Sequence, residues 1–206
     1  MKIVGVILFP DFETLDVFGP VEIFGRLSDM YAIHFYSVSG GIVTNRHGVA
    51  IDTRKLDEFS TYAEICLIPG GLGTRTEVSN DSFIEKSRIV AENSRFVLSV
   101  CTGSALLAAT GLLDGRNATT NKRAFSWVAS SNPGVKWNRK ARWVVDGKFY
   151  TSSGVSAGID MALGFLSDQH GAEFAQRVAW EIEYNWVDDK DDDAFAADST
   201  FVPKYL

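Results

Sequence analysis

Continuous apolar runs, each ending at a turn, constrain the fold of this chain more than any other feature. Three of them are KIVGVILF at Lys2–Phe9, EICLI at Glu64–Ile68 and FVLSV at Phe96–Val100. Because both faces of such a run are apolar, each run predicts a strand buried on both sides, as in parallel sheets. Segments with helical spacing of apolar residues lie between the runs. The sequence therefore predicts an α/β fold with a mostly parallel sheet and helices on both faces.

The remaining elements follow from the same patterns. Further strands are predicted at Ala32–Val38 and Asn117–Thr120, and hairpins at Ile42–Thr53 and around Asp146-Gly147. Helices are predicted at Leu15–Leu27, Ser82–Asn93, Thr102–Ala109, Arg123–Ala129, Ala157–Leu166 and Ala172–Trp186. The 206 residues contain no linker, which predicts a single domain over residues 1–206. Its acidic end, from about 188 to 206, is predicted to be a solvated or partly ordered tail.

Charge and hydropathy exclude several classes of function. The net charge is -6 and the 20 basic residues form no long run, so we expect no nucleic-acid partner. No window reaches 18 apolar residues and the first ten residues are too short for a signal peptide, which predicts a cytoplasmic protein without membrane spans. With only three histidines, and no nucleotide-binding glycine motif, we expect no metal and no cofactor.

Cys101 is the first candidate for chemistry. It follows a predicted buried strand and opens the small-residue helix beginning Thr102-Gly103-Ser104, which is the layout of a nucleophile elbow. The helix N-terminus is expected to lower the pKa of the thiol and to favour the thiolate. The alternative interpretation is a small buried hydrophobic residue, the usual role of a free cysteine. Cys66, in the middle of EICLI, is predicted to be such a residue.

Two further segments reach the carboxyl ends of predicted strands, where α/β sheets bind ligands. Asp16 is either a helix N-cap or a carboxylate that shuttles a proton. The N–H groups of Gly70 and Gly71 are either part of an ordinary turn or an oxyanion hole. Glu22 is predicted to be a solvated or supporting group.

Together these motifs resemble one known family. LDVFGPVEIF, IPGG, VCTGSALLAATGLLDG, ATTNK and TSSGVSAGIDMAL, in this order over residues 1–186, are similar to the ThiJ/PfpI superfamily of class I glutamine amidotransferase-like proteins. The resemblance implies a flavodoxin-like three-layer α/β sandwich and a cysteine nucleophile. It also implies a homodimer acting on a small-molecule substrate.

Within the superfamily, the chain looks most similar to isocyanide (isonitrile) hydratases. Thr102 follows the cysteine where the protease and glyoxalase-like branches have histidine, and the first motif has Asp16 where the glyoxalase-like branch has glutamate. The resemblance implies that Cys101 is the nucleophile, Asp16 its carboxylate partner and Thr102 a hydrogen-bonding neighbour. It assigns Gly71 to the oxyanion region and Val155 to an apolar wall of the pocket.

One position departs from the family pattern. Many relatives have histidine in the ATTHW segment, whereas this chain has Asn121, which does not titrate near neutral pH. The leading hypothesis is a hydratase that forms a covalent thioimidate on Cys101. The alternatives are an amidase-, protease- or glyoxalase-like hydrolase and a non-catalytic redox sensor that oxidises Cys101 to a sulfenic acid. The related regulators carry a helix-turn-helix domain after this unit, and the sequence predicts none here.

Overall fold

An eight-stranded sheet forms the centre of the protein in the computed structural model, which describes residues 1–59 and 63–196. Its strands are β1 (Lys2–Ile7), β2 (Tyr31–Ser37), β3 (Gly41–Thr44), β4 (Ala50–Lys55), β5 (Ala63–Ile68), β6 (Ser94–Ser99), β9 (Trp143–Asp146) and β10 (Phe149–Ser152). They lie in the order β3-β4-β2-β1-β5-β6-β10-β9. The β3–β4 and β9–β10 hairpins are antiparallel and the other pairs are parallel. A small second sheet pairs β7 (Asn117–Ala118) with β8 (Lys136–Trp137).

Helices cover both faces of the large sheet. One layer contains α1 (Thr14–Gly25), α6 (Ala157–His170) and α7 (Ala172–Glu181), with α6 packed against both others. In the other layer, α4 (Gly103–Ala109) contacts α2 (Thr74–Glu77), α3 (Asp81–Asn93) and α5 (Phe125–Ser131). The predicted three-layer, mostly parallel α/β architecture is confirmed. No helix among the described residues has the length and apolar character needed to cross a membrane.

The central strands explain why the apolar runs were informative. Every residue of β5 is buried, and so are the last four residues of β1 and the last three of β6. Helices pack on both faces of these strands, so apolar side chains predominate there, and the buried Glu64 of β5 is compensated by Lys2 and Arg95. The continuous apolar runs at Lys2–Phe9, Glu64–Ile68 and Phe96–Val100 are the sequence consequence of that burial.

The last helix is shorter than predicted. Helix α7 ends at Glu181 rather than at Trp186, and Glu183 takes a left-handed backbone conformation with φ 54°. The chain then turns back so that the Tyr184 hydroxyl and the Trp186 indole N–H donate to Asp160, over 3.1 and 3.2 Å. These half-buried hydrogen bonds to Asp160 favour the turn over continuation of the helix.

The acidic segment after α7 is mostly exposed over its described residues, with one buried acid. Asp193 is buried, with its carboxylate facing Arg142 and Lys122. A buried acid is stable there because it compensates buried cations. Residues 197–206 of the predicted tail lie outside the described residues.

Strand order brings the candidate segments together. β1, β5, β6 and β10 are consecutive in the sheet, so the loops after them meet at one edge. After β1 the chain moves outward to β2, and it later returns to β5 on the opposite side of β1. The gap between β1 and β5 is therefore a topological switch point, where ligands bind in sheets of this type.

Candidate active site

Cys101 occupies a strained turn between β6 and α4. Its φ of 57° is unusual for a residue other than glycine. The backbone holds it in place, since its N–H donates to the carbonyl oxygens of Ser152 (3.2 Å) and Ser153 (3.0 Å). Its own carbonyl accepts hydrogen bonds from the hydroxyls of Ser104 (2.9 Å) and Thr120 (3.0 Å). Such strain persists only where surrounding contacts over-determine it, which is common at functional sites.

Asp16 projects from the first turn of α1 toward this turn and is fully buried. Oδ2 of its carboxyl group accepts the Gly70 N–H over 2.9 Å, while the buried Oδ1 makes no well-formed hydrogen bond with the described residues. Burial raises the pKa of Asp16 well above its usual value, opposed by the Gly70 N–H and, less strongly, by the Cys101 thiol. Asp16 is therefore not the helix N-cap, a position that Glu13 occupies.

The same environment changes the expected state of the thiol. Burial, and then the charge of Asp16, raise the pKa of Cys101 well above its usual value. The Thr102 N–H and hydroxyl and the Asn121 amide lower it, but they do not compensate. The predicted lowering by the α4 N-terminus is therefore present at the Thr102 N–H, but burial and the charge of Asp16 outweigh it. Because two adjacent buried negative charges repel, the Asp16–Cys101 pair loses its protons one at a time.

The two glycines after β5 do not form an open oxyanion hole. The Gly70 N–H binds Asp16, and the Gly71 N–H donates to the Thr102 hydroxyl oxygen over 3.1 Å. Both donors are occupied by the protein in this structure, and an oxyanion role for them stays a prediction. Their observed function is to orient Asp16 and Thr102. The Thr74 hydroxyl also donates to Thr102 Oγ1, over 3.1 Å, and fixes it further.

Gly70 makes this close approach possible, and its substitution is expected to damage the site. A Cβ at position 70 would lie 2.6 Å from the Thr102 nitrogen and 2.8 Å from Asp16 Oδ2, both too short. Gly70→Ala is therefore expected to cost about 1–3 kcal/mol of stability and to separate Asp16 from Cys101. Chemical unfolding and alkylation of Cys101 would measure both effects.

Gly25→Ala is the matched control for that substitution, because its Cβ would meet Ile33 at an ordinary 3.7 Å. Equal behaviour of the two variants would contradict the proposed role of Gly70.

Asn121 contacts the cysteine directly. Its Oδ1 accepts the N–H groups of Arg123 (2.9 Å) and Ala124 (3.0 Å), which turns the amide nitrogen toward the sulfur. Gly154 completes this side, since a Cβ there would collide with the Asn121 amide and lie 3.3 Å from Cys101 Sγ. Sequence reasoning missed Gly154, although its place in TSSGVSAG directly after β10 was a usable signal. Val155 is half-buried in the same turn, and its role as a pocket wall stays a prediction.

Among the described residues no histidine joins the pair, although the charge of Glu13 also raises the pKa of Asp16. His34, His47 and His170 hydrogen-bond Tyr36, Thr14 and Tyr31, away from Cys101. In residues 1–59 and 63–196, no three His, Cys, Asp or Glu side chains are grouped to hold a metal. Cys66 lies buried in β5, where burial raises its thiol pKa to about 12.

Comparison with known proteins now identifies the family. The DJ-1/PfpI family model matches residues 2–168. The chain belongs to the DJ-1/PfpI family. The resemblance inferred from the motifs is thereby confirmed, and the site described above is a DJ-1/PfpI variant with Asp16 and Thr102 around its cysteine.

Relatives within the DJ-1/PfpI family differ in function. The isonitrile hydratase of Pseudomonas putida is 32% identical over 181 residues, which cover 88% of this chain and 78% of that protein. The HTH-type transcriptional regulator CdhR of Pseudomonas aeruginosa is 27% identical over 177 residues, 84% of this chain and 52% of the regulator. The crystal structure of a ThiJ/PfpI family protein from Pseudomonas syringae superimposes with a TM-score of 0.79 at 26% identity, covering 89% of this chain and 75% of that one.

Proposed function

We propose that this protein is a cofactor-independent hydratase that converts an isocyanide into an N-substituted formamide on Cys101. The observation that carries the proposal is a buried cysteine, 6% exposed, beside the buried Asp16 carboxyl group, with no histidine among the groups that shift either pKa. An isocyanide presents its reactive carbon at the end of a thin linear group, which suits a narrow approach to such a sulfur. Similarity to the isonitrile hydratase supports the same substrate class.

The first step starts from the Asp16–Cys101 pair with a single proton, which is on the Cys101 thiol. The Cys101 sulfur bonds to the terminal isocyanide carbon, and the thiol proton passes through the Asp16 carboxyl group onto that carbon. A C–S and a C–H bond form, giving a neutral thioimidate, and Asp16 is again ionised. The Thr102 and Asn121 donors, which lower the thiol pKa, stabilise the negative charge on sulfur as its proton leaves for Asp16, before the C–S bond forms.

Water completes the reaction in two further steps. Asp16 takes a proton from water as its oxygen bonds to the thioimidate carbon, and passes this proton to the nitrogen. In the second step the new hydroxyl proton returns through Asp16 to sulfur while the C–S bond breaks. The products are the N-substituted formamide and the Cys101 thiol: water supplies the oxygen and the N–H hydrogen, and its second hydrogen replaces the thiol proton that became the C–H hydrogen.

The occupied glycine donors favour hydration over amide or ester hydrolysis. Hydrolysis builds an oxyanion on the attacked carbonyl and needs free N–H donors to hold it. The Gly70 and Gly71 N–H groups already bind Asp16 and Thr102. Addition of a thiol to an isocyanide places the developing charge on carbon, where a proton quenches it, and needs no such donors.

Incubation of the purified protein with benzyl isocyanide tests the proposal. We expect catalytic formation of N-benzylformamide, measured by chromatography, without added metal or cofactor. Methylglyoxal and a benzamide serve as substrates for the alternative hydrolases. Turnover of either one, with no hydration of benzyl, cyclohexyl or phenyl isocyanide, would replace the hydratase with the hydrolase alternative. Peroxide oxidation of Cys101 without any turnover would favour the redox sensor.

A homodimer stays a prediction. Helix α1, which carries Asp16, exposes Leu15 (40%) and Phe18 (38%), and Leu72 beside Gly71 is 52% exposed. These apolar side chains around the site support a second copy as their partner. Sedimentation equilibrium would show a mass near that of one chain if the prediction is wrong.

A further inference from the structure

A buried cluster of four charged side chains lies behind the active site and takes no part in the proposed chemistry. Its members are Lys122, Arg142, Asp160 and Asp193, whose side chains are at most 7% exposed. Arg142 pairs with Asp160, donating from Nε over 2.7 Å, and with Asp193 over 3.5 Å. Lys122 Nζ lies 4.0 Å from Asp193 Oδ2. Two cations and two anions balance, so removal of one leaves an uncompensated buried charge.

The cluster is connected to the cysteine turn through short links. Lys122 directly follows Asn121, and its ammonium group donates to the Thr119 hydroxyl over 2.9 Å. Thr119 and Asn121 flank Thr120, whose hydroxyl binds the Cys101 carbonyl. The two ends of the segment 119–122 are therefore tied together at the cluster, and its middle residues, Thr120 and Asn121, touch the cysteine.

A second link runs through Arg142. Its carbonyl accepts the Ser153 N–H over 2.8 Å, and the Ser153 carbonyl in turn accepts the Cys101 N–H over 3.0 Å. Asp193 thus contacts both residues, Lys122 and Arg142, from which these links start. It reaches them from the segment after α7, which is distant in sequence from the rest of the site.

We propose that Asp193 is a positioning residue: its buried carboxylate holds Lys122, and through Lys122 it keeps the Asn121 amide on the Cys101 sulfur. Where it concerns turnover, the inference rests on the proposed hydratase function. Asp193 Oδ2 makes no hydrogen bond with the described residues, so its action on Lys122 is that of a charge rather than of one directional bond. Burial lowers the pKa of Lys122 to about 8, and Asp193 is the first of the influences that oppose the loss of its proton. Arg139 and Arg142 act in the opposite direction.

The rate at which iodoacetamide alkylates Cys101 at fixed pH, measured from the mass of the peptide that contains it, tests the inference without using an isocyanide. Asp193→Asn removes the charge and keeps the shape of the side chain. We expect the alkylation rate of Asp193→Asn to be about fivefold lower than that of the wild type. When Asp193→Asn is added to Asn121→Ala, we expect the alkylation rate to differ by less than about twofold from that of Asn121→Ala alone. This loss of effect is the signature of action through Asn121, because a general loosening of the fold would slow or speed both backgrounds equally.

Asp192→Asn is the matched control. Asp192 is the adjacent acid, is 63% exposed and pairs with Lys140 over 3.6 Å, so its neutralisation is expected to leave the alkylation rate unchanged. Equal effects of Asp193→Asn with and without Asn121, or no effect in either, would overturn the inference. If Asp193→Asn does not fold, Thr119→Val replaces it in the same cycle, because it removes the oxygen that receives the Lys122 hydrogen bond.

Formamide production by the same variants separates this inference from the proposed function. If the wild type hydrates no isocyanide while the alkylation cycle behaves as expected, the hydratase proposal fails and the positioning role of Asp193 stands. The reverse result is hydration by the wild type together with equal effects of Asp193→Asn on alkylation in the presence and absence of Asn121. It would reject the positioning role alone.

Discussion

Replacing Cys101 with serine is expected to lower the rate of isocyanide hydration at least about 10³-fold, as the loss of a nucleophile does in other enzymes. The hydroxyl of serine is a far weaker acid than a thiol, and the buried Asp16 carboxyl group is too weak a base to ionise it. The fold is expected to survive, because the turn is held by backbone bonds of residue 101 to Ser152, Ser153, Ser104 and Thr120, which serine retains. Formamide production and thermal unfolding measure the two effects.

The second cysteine provides the control for this substitution. Cys66→Ala removes a buried sulfur from β5, far from any donor of the site. Its hydration rate is expected to equal that of the wild type, while its unfolding temperature falls because of the cavity. Hydration by Cys101→Ser within tenfold of the wild-type rate would show that the sulfur is not the nucleophile.

The sheet could be predicted because each central strand carries its own signal. β5 is buried at every position, and apart from the ion-paired Glu64 its residues are apolar, which is the pattern that such a strand requires. Asp146-Gly147 likewise determines its hairpin locally, through the left-handed Gly147 at φ 61°. The end of α7 was predicted wrongly because the competing interaction, Tyr184 and Trp186 with Asp160, joins residues of different helical segments.

The residues that form the site could be predicted from the sequence, but the shifts of their pKa values could not. Cys101, Asp16 and Thr102 follow strands that turn out to be adjacent, so their convergence follows from the fold class. The pKa of Cys101 depends instead on the balance between a helix end and burial beside Asp16, and no sequence pattern measures burial depth at a loop. The occupied Gly70 donor and the buried Asp193 arise from contacts between residues far apart in the chain.

Asp16→Asn is expected to slow hydration at least about 10²-fold, the usual contribution of a general acid–base group. Asparagine can still accept the Gly70 N–H, so the side chain keeps its place, but it can neither take nor return the three protons of the proposed cycle. Alkylation of Cys101 is expected to be undiminished or faster in this variant. The reason is that the charge of Asp16 raises the thiol pKa, and asparagine removes that charge.

Glu22→Gln is the control, because Glu22 lies on the same helix but is exposed and pairs with Arg26 over 3.0 Å. Its hydration rate is expected to be unchanged. Slower alkylation of Asp16→Asn, in parallel with slower hydration, would indicate a displaced cysteine rather than a lost proton carrier.

The pH dependence of the free energy of unfolding provides an independent test of the protonation state of the Asp16 carboxyl group. Burial raises the pKa of Asp16 in the folded protein above its usual value of 3.8. Between 3.8 and the raised pKa, the folded chain holds this proton and the unfolded chain does not, so the free energy of unfolding falls as the pH rises through that window. Asp16→Asn removes the titration, and the difference in stability between variant and wild type is expected to shift in favour of the variant as the pH rises. A pH-independent difference would mean that folding does not raise the pKa of Asp16, and would contradict the effect of burial on this carboxyl group.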